Sequence, residues 1–460
     1  MDVLIIILAL GLLMGVAYRG MSVILLAPLC ALLAVGLSLG PDQMLPFYSD
    51  VFMAKMVVFI QLYFPVFLLG AVFGKVVEMS GAARSISKSI VGFLGTRHSM
   101  LAIVVACAVL TYGGVSLFVV AFAVYPFAAS LFRDSDIPKR LIPGTIALGS
   151  FTFTMDALPG TPQIQNVIPT TFFGTTIYAA PWLGIVGALF VLICGMLYLD
   201  RARRLAAAAG EGYGEGHLHE PTKEDPDAPK LHPIPAMMPL LLVGLVNRGA
   251  SLWLPQRFAN GLTVGGHEVE VAKMCGIWSI EMALVAGIGL TFALGYPAIL
   301  KQLREGVDLA VRGALLATMN TASEYGFGGV IASLPGFAAV KTWIGGAFAN
   351  PLVNEAVSVN VLAGITGSAS GGLSLSLAAL GNQYLEQAQA AGIPPDVLHR
   401  VASMASGGMD TLPHNGAVIT LLVITGLSHR QSYKDIFAIT CIKTLSVFFV
   451  IAFYMLTGIY

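Results

Sequence analysis

Two aspartates in apolar surroundings are the first residues of this chain that could do chemistry. Asp156 stands in Met155-Asp156-Ala157-Leu158-Pro159, and Asp410 in Met409-Asp410-Thr411-Leu412-Pro413. Burying a carboxylate in such a segment is costly, so each is a functional candidate by default. Each can carry a coupling proton or ligate a cation, and each can instead cap a broken helix through backbone N–H groups. Thr152, Thr154, Thr161, Gln163 and Asn166 flank the first; Ser406, Thr411, His414 and Asn415 flank the second. Hydroxyls and amides are the donors and acceptors expected to hold a hydroxy acid. His414, at a break, is a candidate for touching substrate or proton, against the alternative of a satisfied core histidine. Glu324, in Ser323-Glu324-Tyr325-Gly326-Phe327-Gly328-Gly329, is a third acid: a proton carrier, or part of a polar face near the interface.

Two glycine pairs accompany the aspartates, Gly113-Gly114 with Ser116 nearby and Gly371-Gly372 with Ser368, Ser370 and Ser374 nearby. Such pairs let a chain reverse tightly and leave backbone N–H groups free. Helix N-termini at those tips carry partial positive charge and suit a carboxylate. The alternative for the serines is back-bonding within a helix. The stretch from Met155 to Asn166 holds Pro159, Gly160 and Pro162. Proline interrupts the helical ladder, and unpaired backbone persists at membrane depth only where it lines a polar cavity.

The elements that must position these residues are apolar. Of 460 residues, 56% are hydrophobic and 11% charged, against about 25% charged in a typical soluble domain. The chain is therefore expected to lie in a lipid bilayer. Its 25 basic and 25 acidic residues cancel, which argues against nucleic acid as a partner. The five cysteines, Cys30, Cys107, Cys194, Cys275 and Cys441, form no C-x-x-C pair and read as small buried hydrophobes. No metal and no cofactor is expected. His217, His219 and His232 fall in a charged, Gly- and Pro-rich linker with no ligand set to complete a site.

Stretches near 2–18, 22–40, 51–79, 181–199, 271–295 and 437–459 predict membrane spans. The first of them, lacking a basic leader, reads as a retained span rather than a signal peptide. Segments 141–178, 307–340 and 397–428 are interrupted, and blocks 99–132 and 355–390 each hold a glycine pair. The linker 200–233 opens with Arg201, Arg203 and Arg204 and is expected on the cytoplasmic side. Basic residues flank 99–132 on both sides, which predicts a re-entrant hairpin rather than a crossing helix.

The halves on either side of the linker repeat one order of signposts: a Gly-Gly-x-Ser-Leu, an Ile-Pro, then a Met-Asp-x-Leu-Pro. The second glycine precedes the aspartate by 42 residues in one half and 38 in the other. Matching order and spacing predict an internal duplication: a first repeat over 1–199 and a second over 234–460. The basic loops orient them oppositely, and inverted repeats with broken helices are the pattern of secondary transporters.

At Thr111-Tyr112-Gly113-Gly114-Val115-Ser116, Met155-Asp156-Ala157-Leu158-Pro159-Gly160-Thr161-Pro162 and Gly408-Met409-Asp410-Thr411-Leu412-Pro413-His414-Asn415, the chain resembles the gluconate permease family of the ion transporter superfamily, over nearly its whole length. Its nearest likeness within the family is to members described as D-3-hydroxybutyrate permeases. The resemblance implies an all-α bacterial inner-membrane protein, a homodimer with an elevator motion, and uptake of a small hydroxy-carboxylate coupled to a proton or sodium ion. Gluconate or another sugar acid is the alternative substrate. An anion channel and an intramembrane enzyme are the readings from other classes; no H-E-x-x-H, G-x-S-x-G or G-x-G-D motif supports the latter.

Overall fold

Apolar runs punctuated by proline and glycine fold here as helices, because a helix pairs its backbone groups within itself where no water can. The computed structural model describes residues 2–18, 22–95, 98–115, 117–217, 220, 231–259, 262–265, 267–269, 271–337, 339, 348, 350–366, 368–413 and 415–460. Helices α1 (Asp2–Tyr18), α2 (Val23–Ser38) and α3 (Ala54–Met79) come first, followed by the amphipathic α4 (Ala82–Leu94). A hairpin of α5 (Ser99–Tyr112) and α6 (Leu117–Asp134) leads into α7 (Ile142–Ser150), α8 (Ile164–Phe173) and the long α9 (Pro181–Ala208). Beyond the linker lie α10 (Pro233–Arg257), a two-stranded antiparallel ribbon of β1 (Leu262–Val264) and β2 (His267–Val269), and α11 (Val271–Ser333). A second hairpin of α12 (Pro351–Thr366) and α13 (Ala369–Ala390) leads into α14 (Pro395–Gly407), α15 (Gly416–Thr425) and α16 (His429–Thr457).

Among the described residues, five helices are long and apolar enough to cross a membrane: Pro41–Met79, Pro181–Ala208, Pro233–Arg257, Met274–Ser333 and His429–Thr457. The spans expected separately near 271–295 and 307–340 belong to one helical stretch of 63 residues, kinked at Gly295. At about 1.5 Å per residue it would be roughly 95 Å long, three times a hydrocarbon core. The kink, with Pro297 just beyond it, makes it two arms. The second arm packs against α3, where a Cβ at Gly329 would overlap the Lys55 side chain.

The block 99–132 is a helical hairpin. Its ends meet where the Ser99 and Ser135 hydroxyls lie 2.7 Å apart. Its tip is the glycine pair, with Gly114 at φ +93°, a conformation that strains any side chain. A Cβ at Gly113 would overlap Leu240 of α10. The second glycine pair does not form a tip, contrary to the sequence expectation. Gly371 and Gly372 lie in the first turn of α13, whose N-cap is Ser368. Close approach is what requires them: a Cβ at Gly372 would overlap the Ala363 backbone of α12, and one at Gly371 the Glu324 carboxylate.

The interrupted segments 141–178 and 397–428 break in the same way. Helices α8 and α15 are each ten residues long, start from an extended residue (Gln163 or Asn415) and stop at a left-handed glycine (Gly174 or Gly426). Glycine in that conformation is a standard helix stop.

One face gathers the polar ends. Arg140 reaches Glu211 at 2.7 and 2.9 Å and Asp435 at 3.0 Å, and Ser432 donates to the Arg140 carbonyl at 2.6 Å. Lys139 pairs with Glu220 at 2.9 Å. The base of the first hairpin, the start of the linker and the N-terminus of α16 therefore share one side.

Candidate functional site

The two breaks meet in the centre of the protein. Asp156, in the single helical turn between α7 and α8, is fully buried and paired with Lys443 of α16, which is also fully buried. Its second carboxylate oxygen, Oδ2, has no hydrogen-bond partner among the described residues. Room for the pair comes from Gly407, where a Cβ would overlap that oxygen. The Asp156 carbonyl accepts from Arg400 at 2.7 Å and from Ser403 at 3.0 Å, both on α14.

Arg400 is the bolt between the breaks. Its guanidinium donates to the Asp156 and Ala179 carbonyls at 2.7 Å each and to Asn166 Oδ1 at 3.0 Å. A planar fork of fixed donors suits a cluster of free carbonyls, which is what an interrupted helix presents. Beside it, His399 sits between Thr175 Oγ1 at 2.6 Å and Asn166 Oδ1 at 3.1 Å.

Asp410, 7% exposed, bonds to the N-terminus of α13. Its Oδ1 accepts from Ala369 N–H at 3.1 Å and from the Asn415 amide at 3.3 Å. Its Oδ2 accepts from Gln165 Nε2 of α8 at 2.7 Å. The protein's own carboxylate thus fills the place at a helix N-terminus where an external anion would bind. Ser368 Oγ caps the same turn by accepting from Gly371 N–H at 3.1 Å. Ser370 lies 3.4 Å from Thr321 Oγ1, one turn from Glu324. Glu324 is buried, and its Oε2 has no hydrogen-bond partner among the described residues.

The expected site residues divide accordingly. Asp410, Glu324, Ser368, Ser370, Gly371 and Asn415 come together around the N-terminus of α13. Gln163 instead ties down the first tip, donating to Thr111 O at 2.8 Å. Thr161 donates to Thr154 O at 2.7 Å, and the Asn166 amide to Thr161 O and Ile177 O at 2.9 Å each; both residues are fully buried and hold the first break in shape. Ser374 back-bonds to Ser370 O at 2.7 Å within its helix. Ser116, His414 and His219 lie outside the described residues. Lys443, Arg400, His399 and Glu355 were not singled out from the sequence. The rule that flagged the aspartates, an ionisable side chain inside an apolar block, applies equally to Lys443 in 437–459 and to Glu355 at the head of 355–390.

An apolar helical bundle, with interrupted helices meeting around buried charges, defines a multi-pass α-helical membrane transporter. The solved structure of the Alcanivorax borkumensis YdaH transporter has a similar fold, with a TM-score of 0.51 at 14% identity, over 90% of each chain. Neisseria gonorrhoeae MtrF, of a class of antimetabolite efflux pumps, aligns with a TM-score of 0.49 at 12% identity, over 90% of this chain and 84% of its own. The model of the GntP family permeases matches residues 1–264, more than half of the chain, and the chain belongs to that family. A Bacillus subtilis (strain 168) relative, "Uncharacterized transporter YxjC", is 59% identical over the full length of both proteins.

Proposed function

We propose that this transporter is a secondary carrier that takes up a small hydroxy-carboxylate, such as 3-hydroxybutyrate, together with a proton or sodium ion. Membership of the permease family and the resemblance carried by the two Met-Asp motifs support the substrate class. The observation that carries the mechanism is Asp410 on the Ala369 N–H. A cation or proton that takes up the Asp410 charge weakens its hold on the α13 N-terminus. The helix start and the hydroxyls of Ser368 and Ser370 are then available to a substrate carboxylate. Gln163 and Gly113-Gly114 at the first tip, with Ser116, supply the corresponding surface from the other half. Asp156 and Glu324 are the further candidates for the coupling charge, and His414 and Asn415 for substrate contact. In this reading 1–199 and 234–460 are inverted repeats joined by the linker 200–233. The hairpins and broken helices move as an elevator against a homodimeric scaffold in a bacterial inner membrane.

The test is uptake of labelled 3-hydroxybutyrate and of gluconate into proteoliposomes, with pH and sodium gradients imposed separately. Counterflow driven by unlabelled substrate inside distinguishes a carrier from a channel or an enzyme. Asp410→Asn should remove concentrative uptake. Full accumulation by that variant removes Asp410 from the coupling role.

A further inference from the structure

We propose that Glu355 is a proton-binding site inside the second hairpin, separate from the Asp410 site. This rests on the carrier reading above and adds a residue to its coupling machinery. Glu355 lies on α12 and is fully buried. Among the described residues, neither of its carboxylate oxygens has a hydrogen-bond partner. Of the other buried acids, Asp156 is held by Lys443, Asp410 by three donors, and Asp435 by Arg140 and Tyr198, while Glu324 leaves one oxygen unpartnered among the described residues. An ionised carboxylate with neither cation nor donor costs several kcal/mol in an apolar interior. Adding one hydrogen ion to one oxygen gives a neutral acid and removes that cost without a second protein charge. The described residues contain no group of three His, Cys, Asp or Glu that could hold a metal ion, so a proton fits this acid better than a divalent cation.

The surroundings suit proton exchange. Tyr384 of α13, 1% exposed, faces Glu355 from the opposite arm. Its hydroxyl is within bonding reach of Ser358, one turn along from Glu355, and lies 3.4 Å from Ser376. Hydroxyls both donate and accept, so this cluster can pass a proton between the arms. The charged groups on the other elements packed against α12 have their own partners or lie at the ends. His399 and Arg400 of α14 are bound to Thr175, Asn166 and backbone carbonyls, and Lys443 of α16 to Asp156. Asp396 begins α14, and Asp2 begins α1. With Gly372 seated on the Ala363 backbone, the packed hairpin seals Glu355 from water. Protonation can then change only when the arms part or the hairpin leaves α14.

The test uses the full-length protein in proteoliposomes. Labelled 3-hydroxybutyrate is followed both in counterflow and in accumulation driven by an imposed pH gradient. One coupled proton supports about a tenfold accumulation per pH unit of gradient. Glu355→Gln should keep counterflow and lose that factor. Undiminished accumulation overturns the proposal, as does loss of counterflow together with accumulation in a folded variant, which makes Glu355 structural. If the glutamine variant does not reconstitute, Glu355→Asp keeps an acid there: a displaced pH profile of accumulation supports the site and an unchanged one overturns it. Acid–base titration of the purified protein gives a readout free of transport. Wild type should release one proton more than Glu355→Gln, and equal release overturns the proposal even where uptake of the probe fails. Absence of counterflow in wild type instead sinks the carrier reading.

Discussion

Removing one member of the Lys443–Asp156 pair should harm the protein more than removing both. Both side chains are fully buried, so solvent does not dilute the effect. Among the described residues Asp156 is the one acid in direct contact with Lys443, and Asp156 Oδ2 has no second donor to fall back on. Breaking such a pair leaves an uncompensated buried charge, at about 3–5 kcal/mol. The orphaned group can shed its charge by gaining or losing a proton, which places the loss at the lower end, about 3 kcal/mol. Replacing both partners by neutral groups of similar size is often neutral. Lys443→Met and Asp156→Asn should therefore each lower the melting midpoint in detergent by several degrees, and the double variant should recover most of the loss. The assay is heating of the purified protein, followed by the fraction that elutes as a single species in size exclusion. With each single variant down by about 3 kcal/mol and the double variant close to wild type, the coupling energy across the four proteins should be about 5 kcal/mol, larger than for most contacting pairs because both charges are buried. Additive losses, with the double variant the worst, would refute the reasoning and show that each side chain stabilises the centre independently.

Gly371→Ala should destabilise the protein by about 1–3 kcal/mol, the usual range for overpacking, because the methyl overlaps the Glu324 carboxylate. Adding Glu324→Ala should restore the melting midpoint, and failure to do so places the clash elsewhere. On the polar face, the hydrogen bond from Arg140 holds the Glu211 carboxyl below its ordinary value. A lowered folded value means that the contact stabilises above the ordinary glutamate range and is lost as pH falls through the lowered value. Because both side chains are partly exposed, the effect is below about 1 kcal/mol. A spin label at Glu215 should gain mobility on acidification, while Arg140→Gln should show that mobility already at neutral pH; equal spectra at all pH values refute the idea that the Arg140–Glu211 contact holds the start of the linker. Cysteines introduced at Arg84 and Arg133, with the native five removed, should both label only from the cytoplasmic side. Labelling from opposite sides would end the re-entrant reading of the first hairpin.

Legibility followed the kind of signal each residue carries. The breaks were visible because proline and glycine act locally: Pro159, Gly160 and Pro162 interrupt a helix whatever surrounds them. The hairpin 99–132 was expected on other grounds, the basic residues on both its flanks, and Gly114 supplies the positive φ that its tip requires. Gly371 and Gly372 misled because glycine serves two ends, reversal and close approach, and only the neighbours Glu324 and Ala363 decide between them. Asn166 and Thr161 read as ligands because their side chains are chemically suited to substrate. Their partners, carbonyls freed by the break, are set by tertiary structure alone. Arg400 escaped notice because its five donors answer carbonyls more than 200 residues away, a relation no local pattern encodes.

The charges at the centre carry the last step. Arg400 and Lys443 supply two positive charges, and Asp156 and Asp410 two negative ones; among the described residues Glu324 and Glu355 have no cation in ion-pair contact, and in their protonated form they add no charge. The empty centre is then balanced, and a substrate carboxylate entering alone would leave one uncompensated negative charge in a low-dielectric interior. A cation or proton arriving with it restores balance, which is a physical reason for obligatory coupling in the proposed reading. Asp410→Asn permanently removes one negative charge. That variant should bind the anion at least as tightly as wild type, with an affinity independent of pH and sodium, while its concentrative uptake is lost. Equilibrium binding of labelled 3-hydroxybutyrate to purified protein over pH and sodium concentration checks this. Weaker binding by Asp410→Asn, with cation dependence retained, would show that Asp410 is a structural cap on α13 and that the balancing charge enters elsewhere.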